Sequence, residues 1–450
     1  MDFIKILEKF FSELPIYHPL AFVIIAISTS CSLQRYFPWN ENKNWIVYSI
    51  VILVLFFGWK NFVKIPRINA KKIGILIAVL AEDESIQKRL KNDLINDIRD
   101  KIQNMGSFQL LVLNNYYTNK LISNKDKYIS KYHKLTRSHL IICGNCGKRI
   151  HEGKTYYSLK LNASAMHKKI PTDVSKSFGG DMRSILPSQT LIPYDNEIVG
   201  FEITSQIIEY SSVYIIGRAS FYSSEFTTAF KLHKNLLDEL EKESNIGALK
   251  DKKINIPLFN KIKELTGKIL FEEAVRLAKQ SYNNNDLEKM KDYINVVEKT
   301  DLNNYESHLL KSIFYFIKDR NTKKALEEIE LAHNNKDATW LYNKAFIIAY
   351  EGDLNESYHI YKRAFKGQTE AHIIFQVENF IIDLLEKEED KIQLWYCLGL
   401  INYLEKEDYK SAKIYFEEFV KNSEKQGKFL SNVEYAKNYL KTINEELREK

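Results

Sequence analysis

The sequence AFIIAYEGDLNESYHIYKRA, residues 345–364, contains the spacing that decides the fold of the larger part of this chain. The small residue Ala345 is followed twelve residues later by Ser357, and residues 352–354 (GDL) form a turn signal between them. Gly and Asp interrupt a pattern that is otherwise helical in period. From about Phe201 to the C-terminus the apolar residues keep this helical period, and the small-residue spacing recurs.

The recurrent positions resemble the tetratricopeptide repeat, a helix-turn-helix unit of about 34 residues. They are Gly217 with Ala229, Ala278 with Met290, Ala325 with Ile329, Ala345 with Ser357, and Gly399 with Ala412. The resemblance covers about 203–420 within a predicted helical domain at 201–450, and it implies an α-helical solenoid whose stacked pairs share one core and bind a protein partner. Its signature positions are Gly217, Ala229, Ala278, Ala345, Gly399 and Ala412. Segments 255–265 and 369–388 are predicted to be extra helices between units.

The aromatic residues of this region are predicted to be core. Their helical spacing is typical of packing between helices rather than of a binding groove. The main examples are Trp340, Tyr342, Phe346, Trp395 and Tyr396. The sequence therefore assigns no groove residue.

Two apolar stretches near the N-terminus, Leu20–Leu33 and Trp45–Trp59, predict a transmembrane helical hairpin. The spans are placed at about 16–34 and 45–63, each close to the ~20 residues that cross ~30 Å of hydrocarbon. An interfacial or re-entrant hairpin, buried core helices and a signal peptide are alternatives. The first domain, 1–70, would also include an amphipathic N-terminal helix or a helical extension of the first span.

Basic residues set the predicted orientation of this hairpin. Lys5 and Lys9 precede the first span, and Lys60 and Lys64 follow the second. The positive-inside rule then puts both termini and the soluble domains in the cytoplasm. The predicted location is the cytoplasmic membrane, with residues 16–63 in contact with the lipid bilayer.

The segment 71–193 is predicted to be a small mixed α/β domain. Ile73–Ala81 is an almost continuous apolar run rich in β-branched residues, which is typical of a buried strand. The predicted elements are a strand at 73–81, a helix capped by Ser85 and running to Gln103, a strand at 108–114, a helix at 128–135, and a strand-turn-strand at 138–164 with its turn at 150–154.

This order of elements resembles the TolB-type amino-terminal domain of bacteria. The matching segments are GILIAVLAE (74–82), LKNDLINDIRDKI (90–102) and FQLLVLN (108–114), within about 72–165. The resemblance implies a Rossmann-like module that binds or senses and has no transferable catalytic set. It also implies a Gly before the hairpin, for which Gly144 and Gly147 are candidates.

Cys143-Gly144-Asn145-Cys146 is the motif that most suggests chemistry. A C-x-x-C pair can be a redox dithiol or half of a zinc site. We prefer a structural interpretation, because the motif is predicted to end a strand and because, of the histidines that follow it, only His151 and His167 are near it in sequence. Cys143, Cys146 and His151 stay weak metal candidates.

Residues 82–84 (EDE) follow the first predicted strand. An acidic cluster there favours a helix start over acid/base catalysis. It also argues against a phosphate-binding loop, because carboxylates repel phosphate.

Composition narrows the functional classes. Lys and Arg total 65 against 58 Asp and Glu, a net charge of +7, without an arginine-rich stripe that would indicate nucleic-acid binding. Four cysteines in 450 residues form no disulfide framework. No catalytic constellation, cofactor or nucleic-acid partner is predicted.

The preferred functional hypothesis is a membrane-anchored cytoplasmic scaffold or sensor that is not an enzyme and binds a protein partner through its repeats. A second is a bacterial signalling or anti-phage defence effector whose hairpin forms homo-oligomers and perturbs the bilayer. A third is a redox or metal protein that uses Cys143 and Cys146.

Overall fold

A computed structural model of the chain describes residues 49–50, 53, 65–186, 188–194, 197–245, 256–300, 305–333, 337–367 and 371–449. The chain divides into two compact units, residues 1–269 and 270–450. The first contains a five-stranded sheet and its helices. The described residues of the second form helices and short connections.

The first unit is a small mixed α/β domain, as predicted. Its strands are β1 (Ile73–Ala81), β2 (Phe108–Val112), β3 (Leu140–His151), β4 (Lys154–Ala165) and β5 (Thr190–Pro193). Its helices are α1 (Glu84–Arg89), α2 (Asn96–Asn104), α3 (Asn115–Ser123), α4 (Lys125–Thr136), α5 (Thr172–Ile185), α6 (Glu197–Tyr222), α7 (Phe226–Asn245) and the first part of α8 (Ile256–Asn283). A π-helical turn (Leu90–Ile95) connects α1 to α2. The sequence does not predict α3, α5 or β5.

Strand β1 lies at the centre of the parallel part of the sheet, whose order is β2-β1-β3-β4-β5. It pairs in parallel with β2 on one side and β3 on the other. Ile75 and Ile77 pack under α1, α2 and α6, whereas Leu76 and Ala78 pack under α3 and α4. Both faces of β1 are therefore buried, which explains its continuous apolar sequence.

Strands β3 and β4 form a long antiparallel hairpin. Its turn consists of Glu152 and Gly153, which have φ of 48° and 73°. Two successive left-handed residues are what a two-residue type I′ turn requires. The predicted turn at 150–154 is confirmed, and the hairpin extends the sheet toward β5, which pairs with β4.

Helices α6 and α7 belong to the first unit. Phe201 and Tyr214 of α6 and Leu236 of α7 are buried in the same cluster as Ile75 of β1. The first predicted repeat is thus a helical hairpin that packs on the sheet. The division at Ile269 accordingly lies well beyond residue 201, where the sequence places the start of the helical domain.

Helix α6 also buries an acidic side chain. Glu209 is 9% exposed, and the carboxylates of Glu239 and Glu243 lie near it on α7. Burial, supported by these two negative charges, raises the pKa of Glu209 to about 7, against the lowering effect of Lys101. The folded chain therefore keeps the Glu209 carboxyl protonated at pH values at which a solvent-exposed glutamate is ionised.

The second unit continues with α8 and contains further helices in sequence. They are α9 (Leu287–Thr300), α10 (Tyr305–Asp319), α11 (Thr322–Leu331), α12 (Thr339–Glu351), α13 (Leu354–Ala364), α14 (Ala371–Lys387), α15 (Gln393–Leu400) with a π-helical turn (Ile401–Glu405), α16 (Tyr409–Gln426) and α17 (Leu430–Glu449). Helices that follow one another pack together, among them α10 with α11, α12 with α13, and α15 with α16. The region is helical and repeat-like.

Small residues lie where these paired helices cross. The Ser357 hydroxyl of α13 donates to the Ala345 carbonyl of α12 at 2.8 Å. Gly399 of α15 faces the ring of Phe416 on α16, and a Cβ at Gly399 would lie 2.5 Å from that ring. Such contacts bring the helix backbones closer than larger side chains would permit.

The membrane-anchored fold class is wrong. Among the described residues no helix combines the length and the apolar character that crossing a bilayer requires. The longest of these helices, α6 and α8, are interrupted by charged residues such as Glu209, Arg218 and Glu273. The predicted spans at 16–34 and 45–63 lie outside the described residues, apart from residues 49, 50 and 53, and so does the N-terminal amphipathic segment. The predicted location in the cytoplasmic membrane is corrected by the same finding, because no helix of the described residues could cross a bilayer.

The close contact at Gly399 predicts a large difference between two glycine substitutions. Gly399→Ala will lower the free energy of unfolding by about 1–3 kcal/mol, because the new methyl group overlaps the Phe416 ring. Gly267→Ala, in α8 where no atom lies within 4 Å of the added Cβ, will raise it by about 0.5–1 kcal/mol. Urea denaturation of both variants checks this. Equal effects would contradict the packing described here.

Buried Glu209 predicts a stability that falls as pH rises. Its folded-state pKa is raised, so the folded chain keeps a proton that the unfolded chain releases between about pH 4.5 and 7. Glu209→Gln will therefore match the wild type near pH 4 and be more stable by about 1–3 kcal/mol at pH 8. Asp238→Asn, at an exposed carboxylate on α7, is the control. A Glu209→Gln difference that does not change with pH would refute the assignment.

Candidate functional site

The C-x-x-C motif lies within β3, not at its end as predicted. Successive residues of a strand point to opposite faces. Cys143 packs in the cluster with Leu76, and Cys146 packs in the cluster with Ile75 on the other face. Three strand residues separate their Cα atoms by roughly 10 Å, whereas a disulfide requires less than about 7 Å. The two thiols cannot form a dithiol pair or share a metal ion.

Both thiols are also inert by environment. Burial raises the pKa of Cys143, and burial together with the charge of Glu82 raises the pKa of Cys146 to about 12. Because the thiolate is the reactive form, neither cysteine is a nucleophile at neutral pH.

The two histidines that follow the motif lie beyond it, at the end of β3 and after β4. His151 is in the last pair of the hairpin, opposite Lys154. His167 packs edge-on against Phe178, and its Nδ1 donates to the Lys168 carbonyl at 2.6 Å. In the described part of the chain, no three His, Cys, Asp or Glu side chains converge as metal ligands would.

The acidic residues after β1 have structural roles. Asp83, rather than the predicted Ser85, caps α1, because its carboxylate accepts from the Ile86 N–H at 2.8 Å and from the Ser85 hydroxyl at 2.7 Å. The Ile86 bond is the main cause of the lowered pKa of Asp83. Glu82 pairs with Arg149 at 3.0 Å and ties the end of β1 to β3.

The repeat-signature alanines are buried at helix contacts. Ala229, Ala278, Ala345 and Ala412 have no exposed surface. A Cβ on Gly217 would overlap the His233 imidazole, which repeats on α6 and α7 the close approach seen at Gly399. These residues serve packing and do not line a site.

The second unit contains a pocket of about 210 Å³ between α8, α9, α10, α12 and α14, which we call the groove pocket. Its apolar lining is Met290, Leu309, Leu310, Ile313, Phe316, Ile317, Phe346, Ile347, Ile373, Val377 and Phe380. Its polar lining is Lys279, Tyr282, Asn283, Ser312, Thr339, Asn343 and Gln376. A largely apolar cavity with a few polar groups is the usual form of a binding site.

Three phenylalanines form one side of the groove pocket. Phe316 of α10 meets Phe346 of α12 edge to face at 5.0 Å, and Phe380 of α14 contacts both, at 6.0 and 5.3 Å between ring centroids. This geometry is favourable for aromatic pairs. It joins three helices at the pocket and fixes its shape.

The polar groups of the groove pocket differ in their hydrogen bonding. Ser312 is fully buried, and its hydroxyl has no hydrogen-bond partner in the part of the chain that the structure describes. Asn343 donates its side-chain amide to the Thr339 carbonyl at 3.0 Å, and Lys279 pairs with Glu306 at 3.5 Å. A buried hydroxyl without a partner costs about 1–3 kcal/mol, which a bound ligand can recover.

Helix α14 is held over the pocket by charge. Buried Glu378 accepts from Asn402 at 2.7 Å and from Lys406 at 2.6 Å. Glu388, just after α14, accepts from Arg320 at 2.9 Å and from the Tyr350 hydroxyl at 2.7 Å. Burial would raise the pKa of Glu388, but these two bonds and the charge of Arg320 hold it below its usual value.

The sequence located the core aromatics but not this pocket. Trp340, Tyr342, Phe346 and Tyr396 are buried as predicted, and Trp395 is half-buried. Phe346 nevertheless also lines the groove pocket. The apolar spacing of Ile373, Val377 and Phe380 on the extra helix was the available signal for it.

Comparison with known proteins gives no relative whose function could be compared with that of this pocket. No protein-family model matches the chain, and no curated protein matches it significantly. Its role therefore has to be inferred from geometry.

The cysteine geometry predicts that iodoacetamide will alkylate neither Cys143 nor Cys146 in the folded chain at pH 8. Each is buried and almost wholly in the thiol form, so modification requires unfolding. Peptide-resolved mass spectrometry measures this, with labelling in denaturant as the control that both peptides are detected. Rapid native-state labelling, or a Cys143–Cys146 disulfide after mild oxidation, would contradict the strand assignment.

Proposed function

We propose that the C-terminal helical unit is a non-enzymatic, protein-binding scaffold whose groove pocket holds an apolar side chain of the partner. The observation that carries this proposal is the groove pocket itself, an apolar cavity with the buried hydroxyl of Ser312, which has no hydrogen-bond partner among the described residues.

The size of the groove pocket favours an anchoring side chain over a cofactor. Its volume of about 210 Å³ is below the roughly 300–1,000 Å³ typical of small-molecule sites. Protein interfaces concentrate their binding energy in a few apolar anchors that enter well-packed pockets. The Phe316, Phe346 and Phe380 rings provide such a surface.

Polar groups support a peptide as the occupant. The Ser312 hydroxyl can pair with a peptide N–H or carbonyl, and the Asn343 and Gln376 side chains each offer both a donor and an acceptor. A polypeptide carries its backbone polar groups beside every anchor, so it can satisfy both kinds of contact at once.

The proposal includes the assignment of the helical pairs as degenerate tetratricopeptide-type repeats. Support comes from the small residues at the crossings of α12 with α13 and of α15 with α16. Stacked helical pairs of that kind present extended binding surfaces. Helix α14 departs from the pattern, because it is an additional helix that lines the surface.

The test is selection of peptides on the immobilised full chain from a random displayed library. We expect selected peptides to share one large apolar residue, and Ala at that residue to weaken binding by at least about tenfold. Gln376→Trp, which places a ring over the pocket from the exposed side of α14, will weaken binding to a similar extent. Leu331→Trp, on the exposed face of α11, is the matched control and will have no effect.

Ser312→Ala separates recognition from folding. Removal of an unpaired buried hydroxyl will leave the free protein as stable as the wild type or more stable by up to about 1 kcal/mol. The same change will weaken peptide binding severalfold. Selections without an apolar consensus, or peptides that bind Gln376→Trp as tightly as the wild type, would refute the proposal.

A further inference from the structure

A second cavity, of about 490 Å³, lies in the first unit at the amino ends of β1 and β3. Lys72 enters it from just before β1, and His139 from just before β3. His133 and Lys134 come from the last turn of α4, and Arg137 follows that helix. We call this cavity the basic pocket.

The lining of the basic pocket is positively charged. Lys72, Lys134 and Arg137 line it, whereas no Asp or Glu does so among the described residues. Lys72 donates to the Gly106 carbonyl. Lys134 and Arg137 are exposed and form no ion pair with other described residues. Two cations thus face the cavity without a counter-charge.

The backbone fixes the tautomer of His139. Its Nδ1 accepts from the Gly74 N–H at 3.0 Å, and the His139 N–H donates to the Gly74 carbonyl at 2.7 Å. With Nδ1 acting as acceptor, the proton of the neutral ring is on Nε2. Burial lowers the pKa of His139, against an opposing effect of Glu225, so the ring is neutral at pH 7. Its Nε2–H donates to no other group in the part of the chain that the structure describes.

His133 has a different role. Its Nδ1–H donates to the Ser138 carbonyl at 2.8 Å, and its Nε2 accepts from the Ser164 hydroxyl at 3.3 Å. Both nitrogens are satisfied and burial lowers the pKa of His133. His133 is thus an uncharged lining residue of the basic pocket, and its bond to Ser164 connects α4 to β4.

Helix geometry alone does not explain the positive charge. Cations near a helix C-terminus are stabilised by the helix dipole, which would account for Lys134 and Arg137. It does not account for Lys72 or His139, which come from the sheet. At this end of the helix the Tyr132 carbonyl accepts from the Thr136 hydroxyl, and the Thr136 carbonyl accepts from the Ile68 N–H.

We propose that the basic pocket binds a phosphate ester of about nucleotide size, with its phosphate held by Lys134, Arg137 and the Nε2–H of His139. Charge-assisted bonds from Lys and Arg are the usual means of phosphate recognition. The volume exceeds what a bare phosphate fills and falls within the range of small-molecule sites. Asn69 and Met166 remain for the uncharged part of the ligand.

The test is isothermal titration calorimetry on the full chain in a phosphate-free buffer. The probes are adenosine monophosphate, inorganic phosphate and adenosine. We expect the two phosphates to bind, the nucleotide more tightly, and adenosine not to bind. Binding of the nucleotide will weaken as salt is added, because the contacts are ionic.

Two variants test the assigned residues. Arg137→Asn keeps a residue suited to the positive φ of 59° at this position, and Lys134→Gln removes the second charge. Each will weaken nucleotide binding by at least about tenfold. Lys131→Gln, at an exposed lysine of the same helix that does not line the pocket, will change it less than twofold. Circular dichroism melts verify that each variant folds.

Four results would overturn the proposal. Neither phosphate binds at millimolar concentration, or adenosine binds as tightly as adenosine monophosphate. Lys131→Gln weakens nucleotide binding as much as Arg137→Asn does, or the chain retains an RNA oligonucleotide but does not bind the mononucleotide.

Discussion

The first unit depends on the burial of one strand on both of its faces. Nine residues of β1 carry apolar side chains or glycine, and no single helix layer can cover both sides of them. Helices α1, α2 and α6 cover one face, and α3 and α4 cover the other. The same constraint separates Cys143 from Cys146 and brings the end of α4 to the amino edge of the sheet, where the basic pocket opens. The separation of the two thiols and the position of the basic pocket therefore both follow from the burial of β1.

The second unit depends on a different constraint, the packing of successive helices. Each of its helices exposes an apolar stripe that its own pair cannot cover, so successive helices must pack against one another. Small residues such as Ala345 and Gly399 permit close pairs, and the phenylalanines fill the wider gaps between pairs. Where α8, α10 and α12 leave a gap, α14 covers part of it and the remainder is the groove pocket.

Sequence reasoning was most successful where one physical cause acts locally. A β-branched run predicted Ile73–Ala81 to the residue, and turn chemistry predicted the hairpin at 150–154. Sequence reasoning failed where one apolar pattern could pack equally well against several different elements of the fold. The apolar face of α6 could pack on a sheet or on another helix, so the sequence did not predict that α6 belongs to the first unit. Helical spacing indicates that Phe346 is buried but not that a cavity adjoins it, and apolar length alone suggested a membrane anchor.

The two sides of helix α14 have different structural roles. Its buried side, through Glu378 and Phe380, keeps the helix in place, whereas its exposed side carries Gln376, which lines the groove pocket. Because it is additional to the stacked pairs, substitutions on the exposed side change the rim of the groove pocket without changing how α12 and α15 stack. Under the proposal of a partner in the groove pocket, such an additional helix provides a surface on which binding specificity can diverge, while the selection that preserves folding acts on other residues.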